Sequence, residues 1–157
     1  MSEHAIEVIL NGRPVRARVE SRRTLGDFLR RDAGQTGTHL ACEHGVCGAC
    51  TVIVDGEAVR SCLMLAVQAD GRKVTTVEGL EASDGSLHRV QQAMQDAYAL
   101  QCGYCTPGVV MTLAAALEAN PKPTEPDLME ALSGHLCRCT GYQGMMKVAK
   151  RLAGGGE

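Results

Sequence analysis

Eight cysteines dominate the chemistry available to this sequence, and they fall into two groups of four. The first group has the spacing C-x4-C-x2-C followed by a more distant fourth cysteine, and consists of Cys42, Cys47, Cys50 and Cys62. This is the spacing of plant-type [2Fe–2S] sites, in which four thiolates hold the cluster. Gly45 and Gly48 permit the backbone to turn tightly around a cluster, because glycine tolerates positive φ. We therefore predict an iron–sulfur site here.

Two other metal sites are weaker explanations of the first group. Zinc sites are usually built from two short cysteine pairs, which this run of three plus one does not match. A Rieske centre, in which two histidines replace two cysteines on one iron, would use His39 and His44. Four cysteines already complete the group, so we interpret both histidines as ordinary loop residues.

The second group consists of two short pairs, Cys102 with Cys105 and Cys137 with Cys139. Each pair lies in a predicted turn between helices, and a helical bundle can bring two such turns together at one end. On spacing alone, a zinc site and an iron–sulfur cluster explain this group equally well. A redox-active C-x-x-C site explains it less well, because it leaves the second pair without a role and no βαβ pattern surrounds it.

The composition argues against several other functions. The net charge is −2 and aromatic residues are 3% of the chain, so we expect neither the basic surface nor the stacking platforms of a nucleic-acid-binding protein. The longest apolar stretch, 109–117, is about half as long as a membrane span requires. The N-terminus lacks the pattern of a secretory signal, so we expect a cytoplasmic protein whose cysteines bind metal rather than form disulfides.

The elements that must position the cysteines change in type near residue 79. Before it, alternating apolar residues and the turns Asn11-Gly12 and Asp55-Gly56 predict strands at 5–10, 15–20, 51–54, 57–60 and 73–77. Thr24 is placed to cap a short helix. Residues 79–85 are small and acidic, which is typical of a linker.

Beyond the linker the pattern is helical. We predict a helix capped by Ser86 and running through Leu100, and a second capped by Thr106 and running to about Ala119. A third helix is capped by Thr124 and runs to about residue 132, and a fourth covers 144–152. The sequence thus predicts a ferredoxin-like domain at 1–78, a linker at 79–85 and a helical domain at 86–157.

Three segments resemble the small iron–sulfur subunit of the molybdenum hydroxylases, the superfamily of xanthine dehydrogenase, aldehyde oxidase and carbon monoxide dehydrogenase. They are 37–52 (GTHLACEHGVCGACTV), 59–68 (VRSCLMLAVQ) and 101–142, which begins QCGYCTPGVVM and ends LCRCTGY. The resemblance spans nearly the whole chain. It implies an α+β fold, with a plant-ferredoxin-like β-grasp domain followed by a four-helix bundle, each holding one [2Fe–2S] cluster.

The resemblance also implies roles for single residues. The cluster nearest to the molybdenum cofactor, the proximal one, is implied to be bound by the second group, Cys102, Cys105, Cys137 and Cys139. The distal cluster is implied to be bound by the first group, Cys42, Cys47, Cys50 and Cys62. Gln101 and Cys139 are implied to contact the pterin, and an amide offers both a donor and an acceptor to a pterin edge. No catalytic acid, base or nucleophile is expected in this chain.

The function that the resemblance implies is electron transfer within a heteromeric molybdenum hydroxylase. Electrons would pass from a molybdenum-pterin cofactor on a large subunit, through both clusters, to FAD on a medium subunit. We expect the cytosine dinucleotide form of molybdopterin and a dimer of heterotrimers. Thr106-Pro107-Gly108 and Thr140-Gly141-Tyr142 resemble the branch with three separate subunits rather than the branch without a flavin subunit. The alternatives are a freestanding two-cluster ferredoxin and a zinc-binding structural module.

Overall fold

A computed structural model describes residues 2–154 of this chain. The first half of these residues forms a sheet with one short helix, and the second half forms four helices, so the fold is of the α+β class. The outermost limits of the two expected domains, residues 1 and 157, lie outside the described residues. Within residues 2–154, no helix combines the length and apolar character needed to cross a membrane.

The sheet has five strands in the order β2-β1-β5-β3-β4, namely β1 (Glu3–Leu10), β2 (Arg13–Glu20), β3 (Thr51–Val54), β4 (Glu57–Arg60) and β5 (Lys73–Thr75). Both predicted hairpins are confirmed, and the residues at the tip of the first, Asn11 and Gly12, have φ of 48° and 78°. β5 is parallel to β1 and antiparallel to β3, so it joins the two hairpins into one mixed sheet.

A short helix packs on one face of this sheet. α1 (Leu25–Asp27) continues into a single π turn, Phe28–Asp32, and the predicted cap is confirmed because Thr24 Oγ1 accepts a 3.0 Å hydrogen bond from the N–H of Asp27. Leu25 and Phe28 are fully buried against the apolar face of β1 and β5. Each such side chain contributes about 2 kcal/mol of burial free energy, which fixes the helix beside the first cysteine loop.

The second half contains α2 (Arg89–Asp96), α3 (Thr106–Ala119), α4 (Glu125–Ser133) and α5 (Tyr142–Leu152). The prediction that Ser86 caps the first of these helices is wrong. His88 is the cap residue, because its Nδ1 accepts from the N–H of Val90 at 3.3 Å while its own N–H donates to Gln91 Oε1 at 2.9 Å. The helix also ends before the predicted Leu100, because Tyr98 has a left-handed φ of 48° that a helix cannot continue through.

The other helix ends differ less from prediction. Thr106 is the first helical residue of α3 rather than its cap, since the first helical hydrogen bond runs from the N–H of Val109 to the carbonyl of Cys105. α4 has the predicted capping box between Thr124 and Asp127. α5 begins two residues before the predicted Gly144.

α3 is the element that joins the two halves. It is apolar on nearly every side, with Val109 and Leu113 fully buried, and it contacts α2, α4 and β3. Successive side chains of β3 point to opposite faces of the sheet. Val52 and Val54 belong to the core under α1, whereas Ile53 packs into the helical core. The sheet is thus covered by α1 on one face and by α3 on the other.

Candidate metal centres

The first group of cysteines lies in the loop between the π turn and β3, with its fourth member just after β4. Cys50 and Cys62 are buried, whereas Cys42 and Cys47 are half-buried. The thiols influence one another's pKa in two pairs, Cys42 with Cys47 and Cys50 with Cys62. The tertiary structure therefore brings Cys62 to the loop, as the sequence pattern requires for a fourth ligand.

Backbone N–H groups of this loop point at sulfur. The N–H groups of Cys47 and His44 each lie 3.4 Å from Cys42 Sγ and lower the pKa of that thiol to about 6. Burial acts in the opposite direction on Cys62 and raises its pKa to about 11, with a further contribution from the neighbouring Cys50 thiol. The loop thus stabilises thiolate at its exposed end and encloses sulfur at its buried end.

Gly48 shows that this loop is shaped by the helical half. Its φ of 78° lies in the left-handed region, and a Cβ at this position would overlap the imidazole of His135 and lie 2.8 Å from the carbonyl oxygen of Gly134. Any side chain here would push the loop away from the segment that leads to Cys137. The glycine is therefore required both by its backbone conformation and by the close approach of the two halves.

The second group lies where the segments before α3 and before α5 meet. The thiols again lie in two pairs, Cys105 with Cys137 and Cys102 with Cys139. Burial raises the pKa of Cys105 to about 12, and a hydrogen bond with Cys102 raises the pKa of Cys139. All four predicted members of this group are thus brought together.

N–H groups point at sulfur in the second group as well. The N–H of Tyr104 lies 3.5 Å from Cys102 Sγ and lowers the pKa of that thiol, and the N–H of Gly141 lies 3.1 Å from Cys137 Sγ. The phenol oxygen of Tyr142 accepts a 2.8 Å hydrogen bond from the N–H of Cys137 and so holds that residue in place. The two groups share one chemical design, with thiols in pairs and amide donors at sulfur.

This donor set fits a [2Fe–2S] cluster. Such a cluster needs two thiolates on each of its two irons, and each group offers four thiols as two pairs. Amide donors aimed at sulfur stabilise the thiolate form that binds iron. Within residues 2–154, no three or more histidine, cysteine, aspartate or glutamate side chains are grouped as ligands of a single metal ion.

A cavity of about 450 Å³ lies between the two groups. Cys47 borders it from the first half, and Cys102, Cys105 and Cys137 border it from the second. Tyr104 and other residues complete a lining that is mostly apolar, so the space next to the sulfur atoms offers few groups that could hydrogen-bond to water.

His39 and Gln101 are the remaining candidates. His39 lies in the loop as predicted, but its ring stacks on that of Tyr104 with centroids 4.6 Å apart, a contact that no sequence pattern indicated. Gln101 is exposed and adjacent to Cys102, whose pKa is lowered in part by the neighbouring thiol of Cys139. The two residues expected to contact a pterin therefore lie on the same end of the helical half.

Comparison with known proteins decides the family. Residues 8–102 match the family of 2Fe-2S iron-sulfur cluster binding domains, and residues 76–150 match a second family of [2Fe-2S] binding domains. The chain is 57% identical over 138 residues to the nicotine 6-hydroxylase small subunit of Paenarthrobacter nicotinovorans, covering 88% of this chain and 82% of that one. The chain belongs to the small iron–sulfur subunits of the molybdenum hydroxylases.

Further comparisons agree with this assignment of the iron–sulfur subunit. The chain is 51% identical over 156 residues to caffeine dehydrogenase subunit gamma of a Pseudomonas species, strain CBB1, and the match covers 98% of this chain and 93% of that one. It also superimposes on a chain of quinoline 2-oxidoreductase from Pseudomonas putida 86 with a TM-score of 0.87 and 43% identity, covering 98% of each chain. Sequence and fold therefore place it among subunits of oxidoreductase complexes, as the resemblance implied.

Proposed function

We propose that this iron–sulfur subunit relays electrons from a molybdenum-pterin cofactor on a large subunit to FAD on a medium subunit. The observation that carries the proposal is the presence of two thiol quartets, each made of two pairs, on either side of one cavity. Two redox centres placed side by side suit a relay, whereas a single centre would suffice for a simple carrier. A bound [2Fe–2S] cluster supplies one-electron redox chemistry at each quartet.

The ligand sets follow from the two quartets. We propose that Cys42, Cys47, Cys50 and Cys62 bind the distal cluster, and that Cys102, Cys105, Cys137 and Cys139 bind the proximal one. The N–H groups of His44, Cys47, Tyr104 and Gly141 then act as hydrogen-bond donors to ligand sulfur, which is one of the protein's means of setting a reduction potential.

Two hydrophobic cores support a division into two domains. We propose a β-grasp domain at 1–78, a linker at 79–85 and a four-helix bundle at 86–157. One core lies between α1 and the sheet. The other is formed by residues of all four later helices, including Val90, Leu113, Leu128 and Val148. The second core includes Cys105 and has Cys137 packed against it, so it adjoins the second quartet.

Exposed apolar side chains around each quartet support a heteromeric assembly. Val46 and Leu63, both 63% exposed, lie at the first quartet, where Leu63 packs against Gly45. Leu100 and Leu136 are exposed beside the second quartet. Apolar residues concentrated at two sites on a small protein are typical of surfaces covered by partners. We propose that the medium subunit covers the first site and the large subunit covers the second.

The pterin contact belongs to the second site. We propose that Gln101 and Cys139 contact the pterin of the large subunit, in its cytosine dinucleotide form. Exposure of Gln101 next to Cys102 supports this role, since an amide there is free to donate and accept at a ligand edge. We further propose that the complex is a cytoplasmic dimer of heterotrimers.

Copurification tests the proposal. A tag on this subunit, expressed with its neighbouring genes, is expected to recover a large subunit containing molybdenum and a medium subunit containing FAD. A subunit that accumulates alone in cells, soluble and fully loaded with clusters, would contradict the proposal and favour a freestanding ferredoxin. Leu63→Lys at the first site is expected to release the medium subunit. Leu87→Lys, at another exposed leucine, is the matched control and is expected to keep that subunit bound.

A further inference from the structure

His39 and Tyr104 join the two cysteine loops across the boundary between the halves. His39 lies three residues before Cys42, and Tyr104 lies between Cys102 and Cys105. Nδ1 of His39 is 2.8 Å from the carbonyl oxygen of Tyr104. Since a carbonyl oxygen only accepts, His39 carries a proton on Nδ1 and donates it in this hydrogen bond.

The contact is reciprocal. The phenol of Tyr104 donates a 2.5 Å hydrogen bond to the carbonyl oxygen of Leu40, the residue after His39. The two rings stack with centroids 4.6 Å apart and planes inclined by 24°. Each side chain thus donates a hydrogen bond to a backbone carbonyl of the other residue's loop. Together with the ring stack, these two hydrogen bonds make three interactions at one pair of residues. We refer to His39 and Tyr104 as the clasp.

The position of the clasp gives it a consequence for electron transfer. Tyr104 borders the cavity between the quartets, together with Cys47 and Cys105. A second tie lies at the same cavity, where the N–H of Leu136 donates to the carbonyl of Cys47 at 3.0 Å. That second tie holds Cys47 against Leu136, whereas the clasp holds the loop before Cys42 against the turn of Cys102 and Cys105. Loosening the clasp therefore gives the loop before Cys42 freedom to move relative to that turn.

We propose that His39 and Tyr104 are positioning residues that set the distance and orientation between the two clusters, and thereby the rate of electron transfer between them. This inference rests on the proposed function, because it needs both quartets to hold clusters. Electron tunnelling falls steeply with distance, so a small displacement of one loop slows exchange. Neither residue is among the proposed ligands, and the backbone N–H of Tyr104 that points at Cys102 Sγ is kept when its side chain is replaced, so we expect the spectrum of each separate cluster not to depend on the clasp.

Magnetic coupling between the reduced clusters tests the clasp in the assembled complex. With both clusters reduced, the two spins interact, and the splitting of their low-temperature EPR lines depends on separation and orientation. His39→Ala and Tyr104→Ala are expected to narrow this splitting and to slow electron equilibration between the clusters after rapid partial reduction. The g values of each cluster, measured with only one cluster reduced, are expected to stay unchanged.

Conservative variants separate the three interactions. His39→Phe keeps the ring stack and removes the N–H donor. Tyr104→Phe keeps the ring stack and removes the hydrogen bond to Leu40. Each variant is expected to give an EPR splitting between that of wild type and that of the corresponding alanine variant. His4→Ala and Tyr98→Phe are matched controls, since His4 lies on β1 and Tyr98 is 88% exposed, and both are expected to match wild type.

The outcomes distinguish this inference from the function on which it rests. Unchanged splitting and unchanged equilibration in both alanine variants, with clusters fully loaded, would overturn the clasp alone and leave the relay intact. A wild-type complex whose small subunit contains no iron or sulfide would overturn the relay and the clasp together. Equal changes in the clasp variants and in the two controls would also overturn the clasp, because the effect would then not depend on this contact.

Discussion

The backbone N–H of Leu136 donates a 3.0 Å hydrogen bond to the carbonyl oxygen of Cys47, and so joins the two cysteine loops directly. Arg60 adds a second bond beside it, donating to the carbonyl oxygen of Gly134 at 2.8 Å. Both acceptors are backbone atoms of loops that carry or precede cysteines. The segment that leads to Cys137 is therefore held against the first half of the chain by contacts within the subunit itself.

The close approach of α3 to the first cysteine loop predicts the effect of Gly108→Ala. A Cβ on Gly108 would overlap the carbonyl oxygen of Gly48, whose backbone has little room to move. Alanine normally stabilises a helix interior by up to about 1 kcal/mol relative to glycine. Overpacking against backbone costs about 1–3 kcal/mol, so we expect a net loss of stability.

Thermal loss of cluster absorbance measures this effect. Ala116→Gly, at a half-buried position of the same helix, gives an upper limit for the propensity contribution, because it also removes a methyl group that packs on the helical core. A Gly108→Ala variant more stable than wild type would show that the contact between helix and loop is not tight.

Paired substitution tests the buried hydrogen bond between His135 and Thr112. His135 Nε2 and Thr112 Oγ1 are 2.7 Å apart, and both residues are buried where α3 meets the segment leading to Cys137. His135→Leu or Thr112→Val alone leaves a buried polar atom without its partner, which costs about 1–3 kcal/mol. The double variant removes both polar groups, so we expect it to cost less than the sum of the two, by about 1 kcal/mol. Additive costs in a double-mutant cycle would mean that the bond contributes nothing.

Single ligand substitutions are expected to affect one cluster at a time. Cys139→Ser should disturb the proximal cluster's EPR spectrum and leave the distal cluster's spectrum present, because Cys139 interacts only with cysteines of the second quartet. Cys62→Ser is the reciprocal variant and should reverse the pattern. Equal loss of both spectra from either variant would mean that the two halves do not load independently.

The cap of α2 is expected to be sensitive to pH. Burial, with the nearby charge of Arg89, lowers the pKa of His88 below its ordinary value, and its neutral Nδ1 is the cap acceptor. The unfolded chain therefore binds this proton at higher pH than the folded chain. The contribution to stability is complete above the unfolded pKa of about 6.5 and is lost as the pH falls from there through the lowered folded value.

His88→Asn supplies a cap acceptor that does not titrate. Between pH 7.5 and pH 5.5 the thermal midpoint of wild type should fall more than that of this variant. Equal falls in the two proteins would exclude His88 as the titrating cap.

Local sequence patterns predicted the two hairpins. Asn11-Gly12 and Asp55-Gly56 specify their turns through backbone preferences of the residues themselves, and β3 and β4 have the predicted limits. Membership of the two cysteine groups follows from spacing in the first case and from family resemblance in the second. The hairpin turns depend on residues that are close together in the chain.

Contacts between distant segments could not be predicted in this way. The stack of His39 on Tyr104 and the fit of Gly108 against Gly48 join residues about sixty positions apart, and each depends on how α3 lies on β3. The cap of α2 was mispredicted for a different reason. An imidazole nitrogen takes the place of the hydroxyl or carboxylate oxygen that capping rules lead one to expect.

Iron and acid-labile sulfide analysis of the purified complex tests the central claim most directly. Two [2Fe–2S] clusters predict about four irons and about four sulfides for each copy of this subunit. Substitution of Cys139 and Cys62 together should remove both clusters and lower each count accordingly. Zinc bound to the cysteines without sulfide, or only half the predicted iron and sulfide in the intact complex, would contradict the account.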